Sequence, residues 1–362
     1  MIFNFFDNNT GGSTPTPTPT PVPTRSGGAI FYDYDGTKLY EYTNSEVANL
    51  SALPAQPTHT GLTAAGWNWT LSEIQTQLTA DSEQPVIVGS MYSTTSGATE
   101  IDVTLDSNHL NLMLLLTIYQ NASIDWGDGS SLETETWTES GANYSSVYAT
   151  HIYAQAGDYT IKIYSVTDGG ITLKGGESGR YCFIVDPDDI NLVYDNTYNT
   201  VVTAIRCGNN LSDFRFSNNE NLATVSLRPD ASNVNFSTSA LLGCRSLVFV
   251  ALPATFRLSS VSNLTSIFYD CISMVTVSIP SGIQYIGSSM FQSCYTLQNV
   301  TIPNGVKKFG SAAFMGCRSI QYITIPNGVE DLLSEALRNC GRLISATIPS
   351  GVTTIADYLF YG

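Results

Sequence analysis

Ile302-Pro303-Asn304-Gly305-Val306 returns 23 residues later as Ile325-Pro326-Asn327-Gly328-Val329, with Ile279-Pro280-Ser281-Gly282-Ile283 before the pair and Ile348-Pro349-Ser350-Gly351-Val352 after it, all at the same step. Cys271, Cys294, Cys317 and Cys340 keep that step, as do Phe268, Phe291, Phe314, Leu337 and Phe360, and Ile286, Phe309, Leu332 and Ile355. Independent positions sharing one period define an internal repeat, and a unit this short must stack on its neighbours to bury its apolar face. In each unit Val277-Ser278-Ile279, Val300-Thr301-Ile302 and Ile323-Thr324-Ile325 read as short strands with alternate side chains inward. Proline then ends the strand, glycine relaxes the next turn, and a short helical or irregular stretch such as 311–314 closes the unit with its aromatic inward. Ser278, Thr301, Thr324 and Thr347 alternate outward and are the candidate receptor contacts.

Outward from this core, Cys244 to Pro253 marks an earlier unit, lengthened by four residues near 257–260, and a more degenerate one runs from Cys207 through Leu222 and Leu227. The pattern Leu-x-x-Val-x-Ile-Pro-x-Gly-Val with Ala-Phe-x-Gly-Cys, clearest over Leu297 to Cys317, resembles the leucine-rich repeats of the BspA type. That resemblance covers roughly residues 200–362 and implies a surface protein that binds other proteins or cells.

Composition narrows the class. Fifteen Lys and Arg against 31 Asp and Glu give a net charge of −16, which opposes nucleic acid and anionic membranes as partners. Only 13% of residues are charged and 43% are apolar, the balance of a β-rich surface module. Five of seven cysteines fall on equivalent repeat positions, which favours buried thiols over a disulfide framework. No histidine lies within ligand spacing of them, so no zinc site is expected. Met1 to Phe6 has neither a basic leader nor the length of a membrane span, and Leu110 to Tyr119 reads as a buried strand, so no membrane insertion is expected.

Residues 7–28 are a Thr/Pro linker favouring a semi-rigid polyproline II spacer. Before it, residues 1–6 read as a docking peptide whose Ile2, Phe3, Phe5 and Phe6 fill a pocket on another protein. Residues 29–97 form a small α+β module: a hairpin over 30–34 and 38–42, then capping boxes Thr43-x-x-Glu46 and Thr70-x-x-Glu73 opening two helices. Trp67 and Trp69 would share one face if extended, either as a sugar-stacking platform or as core anchors. The hairpin and the stretch Gly61 to Thr70 resemble an N-terminal module of gut bacteriophage structural proteins.

Residues 98–175 alternate as strands, with Asp125-Trp126-Gly127-Asp128-Gly129, His151-Ile152-Tyr153 and Gly157-Asp158-Tyr159-Thr160-Ile161 in order. These elements are similar to PKD-type immunoglobulin-like domains, and the resemblance implies a β-sandwich in which Asp125 and Asp128 shape a turn beside His151. Two carboxylates fall short of calcium's six to eight oxygens, and no nucleophile elbow, phosphate loop or His-Glu-x-x-His occurs. Residues 176–200 connect the sandwich to a solenoid over 201–362.

The expectation is therefore a mainly β, modular and elongated chain, with no catalytic residues, cofactor or metal. Function follows from the resemblances: a phage virion protein, either head fibre, capsid decoration or tail fibre. It would be held to a capsid or tail protein by its N-terminus and present Ser278, Thr301, Thr324, Thr347, Trp67 and Trp69 to a host-surface protein or glycan. A homo-oligomer on the virion surface is expected. The alternative is a leucine-rich-repeat adhesin of the bacterial cell surface. The repeat would place its next cysteine at 363, so the chain is expected to continue or to be covered at that end.

Overall fold

The computed structural model describes residues 2–4, 27–137, 145–165, 171–173, 183–184, 201–208, 211–214, 216–228, 235–236, 238–254 and 264–362. Phe5, Phe6, most of the Thr/Pro linker, most of the 176–200 connector, Cys182 and the inserted 257–260 lie outside the described residues, and the side chains of Ile2 and Phe3 are not described.

The repeats stack as the period demands, with strands that begin one residue earlier than expected and, in two of the three turns, are one residue shorter. Thr276–Val277 pairs in parallel with Asn299–Val300, and Tyr322–Thr324 with Ser345–Thr347. A second parallel ladder joins Tyr285–Ile286, Lys308–Phe309 and Asp331–Leu332. The stretch expected to be helical or irregular is instead a third set of inter-turn bonds. Ser289, Phe291 and Ser293 donate to the carbonyls of Ser311, Ala313 and Met315, and Ala312, Phe314 and Gly316 donate to Ser334, Ala336 and Arg338. Two left-handed positions per turn make this alternation: Ser266, Ser289, Ala312, Glu335 and Tyr358 at one, and Asp270, Ser293, Gly316, Asn339 and Gly362 at the other. At the second position the sequence chooses residues that tolerate positive φ; at the first it does not, and the stacked hydrogen bonds hold the backbone there against its preference.

Inside the turns, Phe268, Phe291 and Phe314 stack at 5.5 and 5.1 Å between ring centroids. Beside them runs the cysteine column. Cys294, Cys317 and Cys340 each donate their thiol to the carbonyl of the phenylalanine one turn earlier, Phe268, Phe291 and Phe314, at 3.0–3.2 Å. A small apolar side chain with a weak donor suits a site that must fill a narrow gap and serve a buried carbonyl. Phe291→Ala is expected to cost about 4 kcal/mol, because the stacked rings above and below cannot close the cavity, and a urea midpoint series would show it.

Two further sheets run from the 98–175 region into the repeats. In the first, Glu133–Glu135, Ala122–Asp125, Gly157–Ser165, Thr99–Leu105, Val202–Arg206 and Thr224–Ser226 lie in that order. Single bridges continue it from Thr224 to Phe249 and from Ala251 to Ser278, so the sheet merges with the repeat ladder. In the second, Ser145–Ile152, Asn111–Ile118, Ile171–Leu173, Leu211–Phe214 and Asn235–Phe236 follow one another. Ile101, Val103, Leu112, Leu114, Ile161 and Ile163 share one apolar core with the repeat residues Val277, Phe291 and Ile325. The first repeat strand therefore never presents an open edge to water. Arg206 pins the junction, half-buried, donating to Glu100 at 3.0 Å and with two bonds at 2.6 Å to Asp102.

The N-terminal module is a four-stranded sheet in the order Lys38–Tyr42, Gly28–Tyr32, Pro85–Thr94, Leu62–Trp67, with helices Asn44–Asn49 and Leu71–Ala80. Both expected capping boxes form, at Thr43 with Glu46 and at Thr70 with Glu73. Strand Pro85–Thr94 decides where the module sits. Its Val86 and Val88 join Phe31, Trp69 and Ile74 in the module's own core, while Ile87 and Met91 join the core of the repeats. A side chain at Gly89 would place its Cβ 2.3 Å from Ala251 Cβ, so the strand lies directly on the solenoid. The arrangement is packed rather than elongated.

Candidate functional site

The outward-facing row of the repeat strands is where a partner was expected, and it is where the module lies. Asn68, between strand Leu62–Trp67 and helix Leu71–Ala80, donates to the carbonyls of Leu252 at 2.9 Å and Ser278 at 3.3 Å. Its Oδ1 accepts from Gly89 N at 2.8 Å and Ser278 Oγ at 3.0 Å. Ser278 Oγ also reaches Ile87 O, and Thr301 Oγ1 accepts from Ile87 N at 2.9 Å and donates to Pro85 O at 2.8 Å. Further along, Gln84 donates to Val300 O and accepts from Thr324 N, Gln77 donates to Ile302 O and accepts from Asn304 N, and Ser281 donates to Glu73. Small hydroxyls on the repeat side and amides on the module side satisfy one another in a buried seam.

This corrects the expected contacts. Ser278 is 0% and Thr301 2% exposed, and both are committed to the module. Thr324 and Thr347 are half-buried and line a cleft of about 410 Å³ with Gln77, Glu83 and Pro326. Trp67 and Trp69 do not make a platform. Trp69 is 1% exposed, and Trp67 is half-buried, donating its indole N–H to Pro54 O at 2.9 Å with its ring edge-on to Phe31 at 4.9 Å. They serve as core anchors, Trp69 within the module's buried cluster of Val47, Ile74, Leu78, Val86 and Val88 and Trp67 packed against it.

At the other end of the ladder, the backbone of Ile2–Asn4 pairs antiparallel with Ser345–Thr347, in the register Ile2 to Thr347 and Asn4 to Ser345. The expected docking peptide thus adds a strand to this chain's own last repeat strand. Deleting residues 1–6 is expected to speed hydrogen exchange at Ser345–Thr347 while leaving Thr276–Val277 unchanged, which exchange mass spectrometry would resolve.

The motif Asp125-Trp126-Gly127-Asp128-Gly129 is built as a turn. Asp125 Oδ1 accepts from Gly127 N and Asp128 Oδ1 from Ser130 N, both at 3.0 Å. His151 lies 2.8 Å from Asp128 Oδ2 and stacks on Trp126 at 5.0 Å, while Tyr153 OH donates to Trp126 O. Burial alone would raise the Asp128 carboxyl, but the hydrogen bonds from Ser130 and His151 outweigh it and hold it at about 2. A carboxylate held so low is a poor base at neutral pH, and every oxygen contact named here braces the turn. Because the folded value lies below the ordinary 3.8, the pair stabilises the fold above that pH and the contribution fades as pH falls towards about 2. His151→Ala is expected to flatten this acid limb in a pH series of thermal midpoints. Among the described residues no group of three or more His, Cys, Asp or Glu is placed to hold a metal ion, and no helix is long and apolar enough to cross a membrane.

An open ridge on the repeats carries Tyr295, Arg318 and Arg342, a feature the sequence reading passed over because these residues fall outside the strand row. Arg318 lies over the Tyr295 ring, 4.6 Å from its centroid.

The chain is similar to several solved structures. One is a leucine rich repeat protein of T. pallidum, at 32% identity over 34% of this chain and 56% of that one, with a TM-score of 0.32. Another is a leucine-rich repeat protein from Bacteroides ovatus, at 26% identity over 45% and 41%, with a TM-score of 0.33. A third is a leucine rich cell surface protein from Faecalibacterium prausnitzii, at 26% identity over 33% and 31%, with a TM-score of 0.29. The chain spans 31% to 56% of the length of these three. No curated protein matches it. Residues 257–362 match the model of the BspA type leucine rich repeat region in six copies. The repeats of this stretch are therefore leucine-rich repeats of the BspA type.

Proposed function

We propose that this chain is a non-enzymatic adhesive protein of the bacterial cell surface, binding through the open sides of its repeats rather than through the strand face. The observation that carries it is the six-copy BspA-type repeat region at 257–362, a scaffold that binds rather than catalyses. The seam around Asn68 supports it, because a module locked onto the strand face leaves the ridge and the repeat loops as the surface for a partner. The 98–175 segment is read as a PKD-type immunoglobulin-like domain. Its Asp-Trp-Gly-Asp-Gly turn, braced by His151 and Tyr153, and its two facing sheets support that reading. No observation here favours the virion reading over the cell surface.

Quantitative mass spectrometry of protease-shaved cells, envelope fractions and purified phage particles tests the proposal. Peptides from 311–318 are expected in the shaved and envelope fractions. Recovery in fixed stoichiometry with particles, and not with envelopes, would overturn it in favour of a fibre or decoration protein.

A further inference from the structure

The four Pro-x-Gly loops of the repeats differ in one residue. Serine stands before the glycine in the first and last, Ser281-Gly282 and Ser350-Gly351, and asparagine in the middle two, Asn304-Gly305 and Asn327-Gly328. Asparagine is a thermolabile residue, and a glycine after it carries no Cβ to keep the next backbone nitrogen away from the side-chain amide. Both asparagine loops read Pro-Asn-Gly-Val, and both are closed by the same bond, Val306 N to Pro303 O and Val329 N to Pro326 O, each at 3.0 Å. As sequences they are equivalent, but their surroundings are not.

Asn304 is half-buried and held. Its N–H donates to Gln77 Oε1 at 3.0 Å while Gln77 Nε2 donates to Ile302 O at 3.1 Å, so one buried amide grips the main chain on both sides of Pro303. Asn327 is exposed, and among the described residues neither its N–H nor that of Gly328 has a hydrogen-bond acceptor. The loops at 303–306 and 349–352 flank it on either side, so the exposure belongs to this loop and not to an end of the stack. A charge adds to the difference. Lys307 Nζ would stand 3.1 Å from a Cβ on Gly328, which puts an ammonium against that backbone, whereas the residue one step earlier, beside Gly305, is the neutral Gln284.

We infer that Asn327-Gly328 is a self-modifying site, at which the folded chain converts its own asparagine to an acid while Asn304 is spared. Gly328 N gives its proton to solvent base and attacks Asn327 Cγ; the N–Cγ bond forms, the Cγ–Nδ2 bond breaks, and ammonia leaves with a proton taken from water. A second water opens the resulting succinimide at one of its two carbonyls, giving aspartate or isoaspartate, so that overall one water is consumed and one ammonia released. Lys307 favours the attack, because a cation beside the nitrogen stabilises the negative charge that develops there. The product places a carboxylate in the cleft of about 410 Å³ that Asn327 shares with Asp81 and Glu83. In its isoaspartyl form it also lengthens the main chain by one carbon inside a closed loop, which loosens that turn alone. The inference does not depend on the surface-binding reading.

The test keeps the intact protein folded at physiological temperature and mildly alkaline pH and follows the peptides containing residues 304 and 327 by tandem mass spectrometry. Residue 327 is expected to convert about tenfold or more faster than residue 304, which reacts only when the Gln77 grip opens. In urea the two are expected to convert at one rate. Gln77→Ala is expected to speed conversion at 304 without changing 327, and the exposed Lys307→Met to slow 327 about threefold, a difference that raised salt erases. Equal conversion of the two residues in the folded protein, no conversion at 327 while the urea sample converts, or unequal rates in urea would overturn the inference. An unchanged rate at 327 in folded Lys307→Met would overturn the role given to the ammonium.

Discussion

Above about pH 9 the protein is expected to lose stability steeply, because its thiols are buried as neutral groups. Cys207, Cys244, Cys271, Cys294, Cys317 and Cys340 are all free and buried. Burial pushes Cys207 and Cys340 up to about 12 from the ordinary 9.0, and lifts Cys271, Cys294 and Cys317 well above it; Cys244 is raised in the same way. The unfolded chain releases these protons near 9.0 and the folded chain keeps them to far higher pH. Stability is therefore complete below 9.0 and falls as pH rises through the interval up to the folded values, by about 1.4 kcal/mol per pH unit for each thiol. Six thiols acting together lose on the order of 8 kcal/mol per unit, as much as the whole stability of an ordinary domain. Tyr92 and Tyr153, raised above 10.0 by burial, steepen the same limb. Urea midpoints taken at half-unit steps from neutral to strongly alkaline pH would show the fall, and replacing Cys244 and Cys317 by Ala would reduce its slope. Ellman's reagent should find these six thiols silent in the folded protein and reactive once it unfolds. A midpoint that stays flat through about pH 10 would mean the cysteine column is open to solvent.

The second large effect is expected at Asn68. Its side chain satisfies two carbonyls, one amide and one hydroxyl across the seam. Asn68→Ala removes all four bonds and leaves their partners buried, which is expected to cost about 3–5 kcal/mol. Asn68→Asp keeps the shape but turns a donor towards two carbonyls into a second acceptor with a charge, and should cost at least as much. Exposed Thr70→Ala, which removes only a helix cap, serves as the contrast at about 1 kcal/mol. Chemical denaturation of the three variants checks the order. If Asn68→Ala cost no more than the cap variant, the module would not be anchored by this seam.

Much of the fold was legible because it repeats. A 23-residue step in proline, cysteine and phenylalanine leaves a stack as the way to bury each turn, and the capping boxes at Thr43 and Thr70 announce their helices locally. Strand Pro85–Thr94 was not legible. Buried on both faces, it carries an apolar run of only Val86 to Val88 before Gly89 and Ser90, with no alternation to mark a strand, and nothing in its sequence says that Ile87 and Met91 turn towards the repeats. That omission decided the candidate site. Ser278 and Thr301 do alternate outward, as their period requires, but outward from the repeats is inward for the assembled chain, and their hydroxyls answer Ile87, Pro85 and Asn68. The third hydrogen-bonded set in each turn was hidden for a different reason: Ser289, Ala312 and Glu335 do not advertise positive φ, so the stretch looked irregular. The ridge escaped because Arg318 and Gly341 break the repeat, and a search for what recurs passes over what differs.

The N-terminal module, the two sheets of the 98–175 region and the repeats share their packing, with the strand face covered. Hydrogen exchange at the amides of Ile87 and Gly89 tests this most directly, since these two donate to Thr301 Oγ1 and Asn68 Oδ1 within the seam. Protection matching that of Phe291 and Phe314 in the repeat core is the predicted result. Exchange at the rate of an exposed strand, with the repeat core still protected, would mean that the module stands free and the strand face is open after all.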